Sequence, residues 1–545
     1  MVTTPIFIQR RIIWQILILV FAILITWPFI ALVQLSIGSS SDLWTHLFET
    51  VLFTYISNTL ILMLGVACLS GIIGVWSAWI LYKYGMPGKK VLEVMILLPA
   101  ACPGYLVAYA YTDFFEYAGP FQGVLRDVMG WESASDYFFP EIRSIFGGTL
   151  VLSFVLYPYV YLLARTGFLN VSDKLTSVAK IYNKSEFWSV CLPLSRPAIM
   201  VGLSLVCMEV VSDFGTVEYF SLPTLTLGIF NVWIGMNDIA TAAQISIFTF
   251  VFILLLLYLE FKSRGQRSFS TVRTIENRHI VRRVQGRKLM LNYLIVLIPI
   301  FLGFVLPVTI LCSNMLKSVT SESFLFSLIV SWNTFSVAGA ASIMIMLMAT
   351  LFGTLNHLIR NKNISIITSI ASMGYAFPGT MLAIGVIIFI GQIENSFMNM
   401  LSLFSVETSK IYLSGTLGVL LFAYLVRYLA VGYGSIVSGL QNIPNNLNFA
   451  SQTLGSSMEN TIKRITLPLL SRFIFAGSIL VFVDVVKELP MTLLLRPFNF
   501  ETLATYTYQF AHDELMEQAS MPALIIILVS MVPIIFLNKL LVKTN

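Results

Sequence analysis

Leu192-Pro193-Leu194-Ser195-Arg196 rises into Met208-Glu209-Val210-Val211-Ser212-Asp213-Phe214-Gly215. Leu467-Pro468-Leu469-Leu470-Ser471-Arg472 rises into Val481-Phe482-Val483-Asp484-Val485-Val486-Lys487-Glu488-Leu489-Pro490. One spacing relates the two stretches: Pro193 and Pro468, Glu209 and Asp484, and Asp213 and Glu488 are each 275 positions apart. The same offset carries Asn58-Thr59 to Asn333-Thr334 and Pro103-Gly104 to Pro378-Gly379. The chain is therefore a tandem repeat, and each copy sets a carboxylate pair at i, i+4 in apolar sequence.

Of 545 residues, 57% are hydrophobic and only 11% charged, with a mean hydropathy of +0.84. Soluble domains carry about 25% charged residues, so a polytopic membrane protein is expected. Runs long enough to cross a bilayer, about 20 residues, fall near 12–37, 58–82, 91–113, 146–166, 197–219 and 241–261. A second set falls near 289–313, 335–359, 364–391, 411–432, 471–490 and 521–541. The expectation is about twelve helices in two parallel six-helix repeats, the path lying between repeats related by an axis along the membrane normal. The domains read as 1–261, a basic linker 262–288, and 289–545.

Arg10-Arg11 precede the first apolar run, which is too long for a signal peptide and lacks a cleavage site. With the N-terminus inside, only Arg126, Arg143, Lys317, Lys410 and Arg496 fall in outer segments, with Lys487 near an outer helix end. That bias places both termini in the cytoplasm. The linker holds nine Lys and Arg against Glu276. Because it joins two spans, it reads as a solvated segment near anionic headgroups rather than a nucleic-acid site.

Chemistry within the chain is not expected. No G-x-x-x-x-G-K-[ST] loop is present, and Gly88-Lys89-Lys90 lacks the upstream glycine and the Ser or Thr. His46, His279, His357 and His512 have no metal-ligand spacing, and Cys68, Cys102, Cys191, Cys207 and Cys312 form no disulfide framework. No metal site is assigned and no cofactor is expected on the chain.

Two segments carry function. Before Pro468, Pro444 opens a short helix that Gly455 ends, and Ser456 with Glu459 has capping-box spacing for a second helix. This helix–turn–helix, in a loop over about 433–470, exposes Leu447, Phe449, Ala450 and Leu454, as a docking element does. An ordinary loop packed on its own bundle is the alternative. The other segment is the carboxylate pairs. At 1.5 Å per residue, Glu209 lies about 18 Å and Asp213 about 24 Å beyond Pro197, within the membrane. Ionisable groups there face a bundle interior or water, and i, i+4 spacing puts both on one helical face. Hard oxygen ligands suit a hard cation, so Glu209, Asp213, Asp484 and Glu488 either line a cation path or bond helix-end amides, hydroxyls and Lys487 to fix packing. Gly215 and Pro490, just beyond the pairs, suit irregular backbone near a cavity.

The loop before Pro468 resembles the EAA–G–P cytoplasmic loop of ABC importer permeases. Gly455 and Pro468 stand at its Gly and Pro positions, and Phe449-Ala450-Ser451 at its Glu-Ala-Ala position, keeping the central alanine. In the first loop, about 167–196, Pro193 is clear. At constant offset Lys174-Leu175-Thr176 takes the Glu-Ala-Ala position and Lys180 the glycine; with a three-residue shift, Ser177-Val178-Ala179 and Asn183 do. Met208 to Ala243, Val481 to Thr505 and Tyr55 to Asp113 resemble the ferric-iron branch of these permeases. The resemblance implies the type I importer fold with fused halves. It implies ATPase contact through Lys180, Pro193, Phe449, Ala450, Ser451, Gly455 and Pro468, a cytosolic ATPase dimer that uses the ATP, and a periplasmic substrate-binding protein. The setting it implies is the bacterial inner membrane. The same architecture carrying thiamine, a phosphonate or another small solute is the alternative, and a gradient-driven secondary transporter the rival from another class.

Overall fold

The computed structural model describes residues 5–38, 42–264, 282–318, 320–359, 361–403, 413–444, 447, 450–451 and 453–543. Apolar sequence in lipid must satisfy its backbone internally, and the chain does so as helices. The first half provides α1 (Pro5–Gly38), α2 (Leu52–Lys83), α3 (Gly104–Phe115), α4 (Ile145–Leu169), α5 (Asp173–Ile181), α6 (Leu192–Ser212), α7 (Gly215–Tyr219), α8 (Leu225–Phe230) and α9 (Ile239–Arg264). The second provides α10 (Arg287–Ile300), α11 (Leu306–Ser318), α12 (Ser321–Ile359), α13 (Lys362–Ala371), α14 (Gly379–Leu403), α15 (Leu417–Gln441), α16 (Leu467–Val486), α17 (Pro490–Leu495), α18 (Leu503–His512) and α19 (Met516–Lys543).

Among the described residues, ten helices are long and apolar enough to span a membrane, or eleven with Lys89–Ala101 and Gly104–Met129 counted as one span bent by 88°. Two shorter apolar helices, Leu225–Gly235 and Ile239–Leu255, stand beside these, in keeping with the expectation of about twelve. The bend falls at Pro103, whose ring cannot continue a helix. The apolar part of α9 shortens to Ile239–Leu255.

The compact units do not follow the sequence halves 1–261 and 289–545. One unit is Met1–Trp44, Ile229–Ile247 and Phe324–Tyr506; the other is Thr45–Gly228, Phe248–Ser323 and Thr507–Asn545. In the first unit α1 packs on α13 and α14. A Cβ on Gly385 would come within 2.7 Å of the Pro28 carbonyl oxygen, and Trp27 Nε1 donates to Gln392 Oε1 at 3.2 Å. In the second, α2, α4 and α6 pack closely. Gly74 lies against Val160 and the Tyr161 backbone, and Gly202 against the Val160 Cα; such small residues let membrane helices approach. There α11 lies along α19, where the Ser318 hydroxyl donates to the Glu517 carbonyl at 2.8 Å.

Of the basic linker, 265–281 lies outside the described residues. At its end, Arg282-Arg283 forms a two-residue parallel ladder with Tyr84-Gly85, just past α2.

Candidate functional site

Each repeat breaks its carboxylate helix in the same way. Helix α6 stops at Ser212 and α16 at Val486, so Asp213 and Glu488 lie beyond the helices and not on one face with Glu209 and Asp484. The reason is that each caps the next helix. Asp213 accepts from the backbone N–H of Thr216 and of Val217, both at 3.2 Å, and from the Thr216 hydroxyl at 3.1 Å. Glu488 accepts from the N–H of Met491 at 3.0 Å and Thr492 at 2.8 Å, and from the Thr492 hydroxyl at 2.6 Å. Orphan N–H groups at a helix start favour such an acceptor. Gly215 starts α7, and Pro490 sits in the first turn of α17, where its missing N–H costs nothing.

The paired Pro-Gly motifs serve these breaks. A Cβ on Gly104 would lie 2.8 Å from Thr216 Oγ1, and one on Gly379 would lie 3.0 Å from Glu488 Oε1 and 2.9 Å from Pro490 Cγ. The Asn-Thr motifs hold the chain after each break. Asn58 Nδ2 donates to the Pro223 carbonyl at 3.1 Å, and Thr59 Oγ1 accepts from the Leu225 N–H at 3.0 Å. Asn333 Nδ2 donates to the Glu501 carbonyl at 3.3 Å, and Thr334 Oγ1 accepts from the Leu503 N–H at 2.7 Å. Both motifs stand out as repeats in sequence; their role needed the fold.

The two breaks differ in charge. Buried Glu488 faces Arg427 Nη1 at 3.6 Å, whereas Val155 holds the corresponding position in α4. Asp484 pairs with Lys487 at 3.4 Å, and Glu209 is half-buried within α6. Among the described residues, no group of three or more His, Cys, Asp or Glu is arranged to hold a metal ion.

The loops before Pro193 and Pro468 share a design. In the first, Ser172 caps α5 and Asn183 turns the chain at φ +51°, with the Lys184 N–H donating to the Ala179 carbonyl at 2.9 Å. In the second, Gly455 turns it at φ +83°, with the Ser456 N–H donating to the Ser451 carbonyl at 3.1 Å. Such a left-handed residue with a bond spanning it closes a helix. Asn183 therefore holds the turn position, not Lys180, which lies in the last turn of α5 and reaches Glu186 at 3.4 Å. The constant offset fails here because the second loop carries an extra turn, Met458–Thr461. Its cap is Ser457, whose Oγ accepts from the Asn460 N–H at 3.3 Å, one residue beyond the expected Ser456.

Both loops then pass through one wide π-turn, Phe187–Cys191 and Ile462–Thr466, into the helices carrying Pro193 and Pro468 in their first turns. The first loop exposes Leu175, Val178, Ile181, Tyr182 and Trp188. The second exposes Leu447, Ala450 and Leu454, while Ser451 is buried and hydrogen-bonded to Thr461 at 2.9 Å. Phe449 lies outside the described residues. Glu186 ties the first loop to α2 through Lys83. Burial opposes ionisation there, but bonding and charge from Lys83, then Lys180, hold its carboxyl below the ordinary value.

Residues 361–544 match the family described as binding-protein-dependent transport system inner membrane component. The chain is 22% identical over 500 residues to the Fe(3+)-transport system permease protein FbpB 2 of Haemophilus influenzae, covering 90% of this chain and 91% of that protein. It is 27% identical over 212 residues to a probable sulfate transport system permease protein cysT of Chlorokybus atmophyticus, covering 37% of this chain and 70% of that one. A trehalose/maltose transport system permease protein MalF of Thermococcus litoralis is 25% identical over 236 residues, 41% of this chain and 76% of its own length.

Proposed function

We propose, from its similarity to binding-protein-dependent permeases, that this multi-pass membrane chain is the fused-permease subunit of an ABC importer for ferric iron. The observation that carries the substrate is extent. Similarity to the Fe(3+) permease runs through both halves, 90% of the chain, whereas the sulfate permease matches 37%. Sulfate is the second reading, favoured by that higher local identity.

On the orientation set by the basic residues, the two turn-closed loops face the cytoplasm of a bacterial inner membrane. Each presents exposed apolar side chains beside its closed turn, which suits one ATPase subunit per loop. That partner hydrolyses the ATP, and a periplasmic binding protein delivers the cargo to the opposite face. The chain itself performs no chemistry. Glu209 and Asp484, within their helices, supply hard oxygen to the path, while Asp213 and Glu488 shape the breaks beside it. ATP binding rocks the assembly between inward-open and outward-open states.

Uptake of labelled ferric iron, sulfate and thiamine in a deletion strain with and without the restored gene tests this reading. Restoration of iron uptake alone supports it. Unchanged iron uptake with restored sulfate uptake replaces it with the second reading.

A further inference from the structure

The repeats part company beside the start of the loops. In the first half that space is filled. Trp79 of α2 packs edge-on against Phe168 of α4 at 5.7 Å, Tyr82 lies 6.0 Å from the same ring, and Arg165 pairs with Glu93 at 2.8 Å. Helices α2 and α12 correspond at an offset of 275, and α4 and α15, which have the same length, at 272. The counterparts are then Thr354, His357, Leu440, Val437 and, for Glu93, Thr368. Three aromatic rings and an ion pair have been replaced by smaller groups and an imidazole. A cavity of about 780 Å³ opens there, within the range of small-molecule sites.

Its polar lining includes Asn356, His357, Lys362, Ser365, Tyr433 and Gln441. Val437, Leu440 and Ile443 add an apolar wall, and none of the described lining residues is a carboxylate. The polar side is ordered, since Asn356 Nδ2 donates to the Tyr433 hydroxyl at 3.1 Å. Lys362, exposed at the edge, stands where the first half has Pro87.

We infer that this cavity binds a phosphate-bearing anion. An ammonium, an imidazole, amides and hydroxyls converge where no lining carboxylate competes, and phosphate oxygens take several such donors at once. The apolar wall accommodates the rest of an ester. The phosphate comes either from an anionic lipid headgroup, which basic pockets between membrane helices attract, or from a soluble ester. The site joins α12 and α13 to the end of α15, from which the second loop departs at Gln441 and Ile443. Occupancy therefore steadies that loop, which affects transport only through the ATPase contact proposed above.

The test uses the full chain in nanodiscs, without ATPase. In one arm, discs containing phosphatidylglycerol are analysed by native mass spectrometry for lipid retained by the protein; in the other, phosphatidylcholine discs are titrated with inorganic phosphate. Binding is expected in at least one arm, weakened tenfold or more by Lys362→Gln and by the cavity-filling Ser365→Trp, with melting temperatures confirming that both variants fold. Phosphate binding points to a soluble ester, and lipid retention alone to a headgroup. No binding in either arm, or equal binding by wild type and both variants, overturns the site. Absence of restored iron uptake in the deletion-strain assay, with binding intact here, counts against the importer reading, not this one.

Discussion

Asp213 and Glu488 are equivalent in the repeat and unequal in cost. Asp213→Ala removes one helix cap, worth about 0.5–2 kcal/mol. Glu488→Ala removes a cap and also the partner facing Arg427, and breaking a buried ion pair costs about 3–5 kcal/mol. Thermal unfolding in one detergent should rank Glu488→Ala well below Asp213→Ala; equal melting would contradict the contribution of the Arg427 pair. Thr59→Val and Thr334→Val remove the acceptors of the Leu225 and Leu503 N–H groups. Leaving a buried donor unsatisfied costs about 1–3 kcal/mol, so both variants should melt lower, and wild-type melting would reject the anchoring role. The importance of these residues was legible from the fixed offset, and their acidic chemistry from their type. Bonding to helix-end amides, hydroxyls and Lys487 was one of the two readings the sequence left open; the break was not legible, because the shared-face argument takes a continuous helix where Asp213 and Glu488 end one helix by starting another.

The element that most needed coordinates is the first loop. Its Pro193 follows from sequence, but a constant offset puts the turn at Lys180, and only the three-residue shift puts it at Asn183. The left-handed backbone at Asn183 and the shared bond across the turn, Ala179 to Lys184 and Ser451 to Ser456, identify the true correspondence. Lys180→Ala is expected to leave ATPase stimulation by reconstituted transporter within about twofold of wild type. Gly455→Val, forced into a conformation costing about 1 kcal/mol or more for a branched residue, should lower that stimulation severalfold; the reverse ranking would restore Lys180 to the turn. Glu186 gives the same loop a pH signature. Its folded value lies below the ordinary 4.5, so its stabilisation is present above that pH and is lost as pH falls through the folded value. The melting difference between wild type and Glu186→Gln should therefore be largest near neutrality and shrink below pH 4.5; a difference that grows in acid would reverse the assignment.

For the molecule as a whole, hydropathy and the repeat were enough to expect a helical membrane protein of two repeated halves, while the permease reading came from the resemblance; the family model matches residues 361–544, and similarity to the Fe(3+) permease covers 90% of the chain. How the halves share their helices was not legible. Nothing in the apolar sequence of α1 says that it packs on α13 and α14, or in α10 and α11 that they join the unit holding α2 to α7. Lipid-facing and helix-facing surfaces are equally apolar, so hydropathy does not distinguish partners. Fragments 1–264 and 282–545, expressed separately, should each be degraded or misfolded, and co-expression should recover folded protein. Stable, independently folded fragments would contradict the exchanged packing. The central claim is tested most directly by labelled ferric iron entering vesicles that hold this chain with the proposed ATPase and binding protein. The account predicts uptake that requires ATP and is abolished by Glu209→Gln in a protein that still folds and binds the ATPase. Uptake driven by an ion gradient without ATP, or the absence of iron uptake beside ATP-driven uptake of another solute, would contradict it.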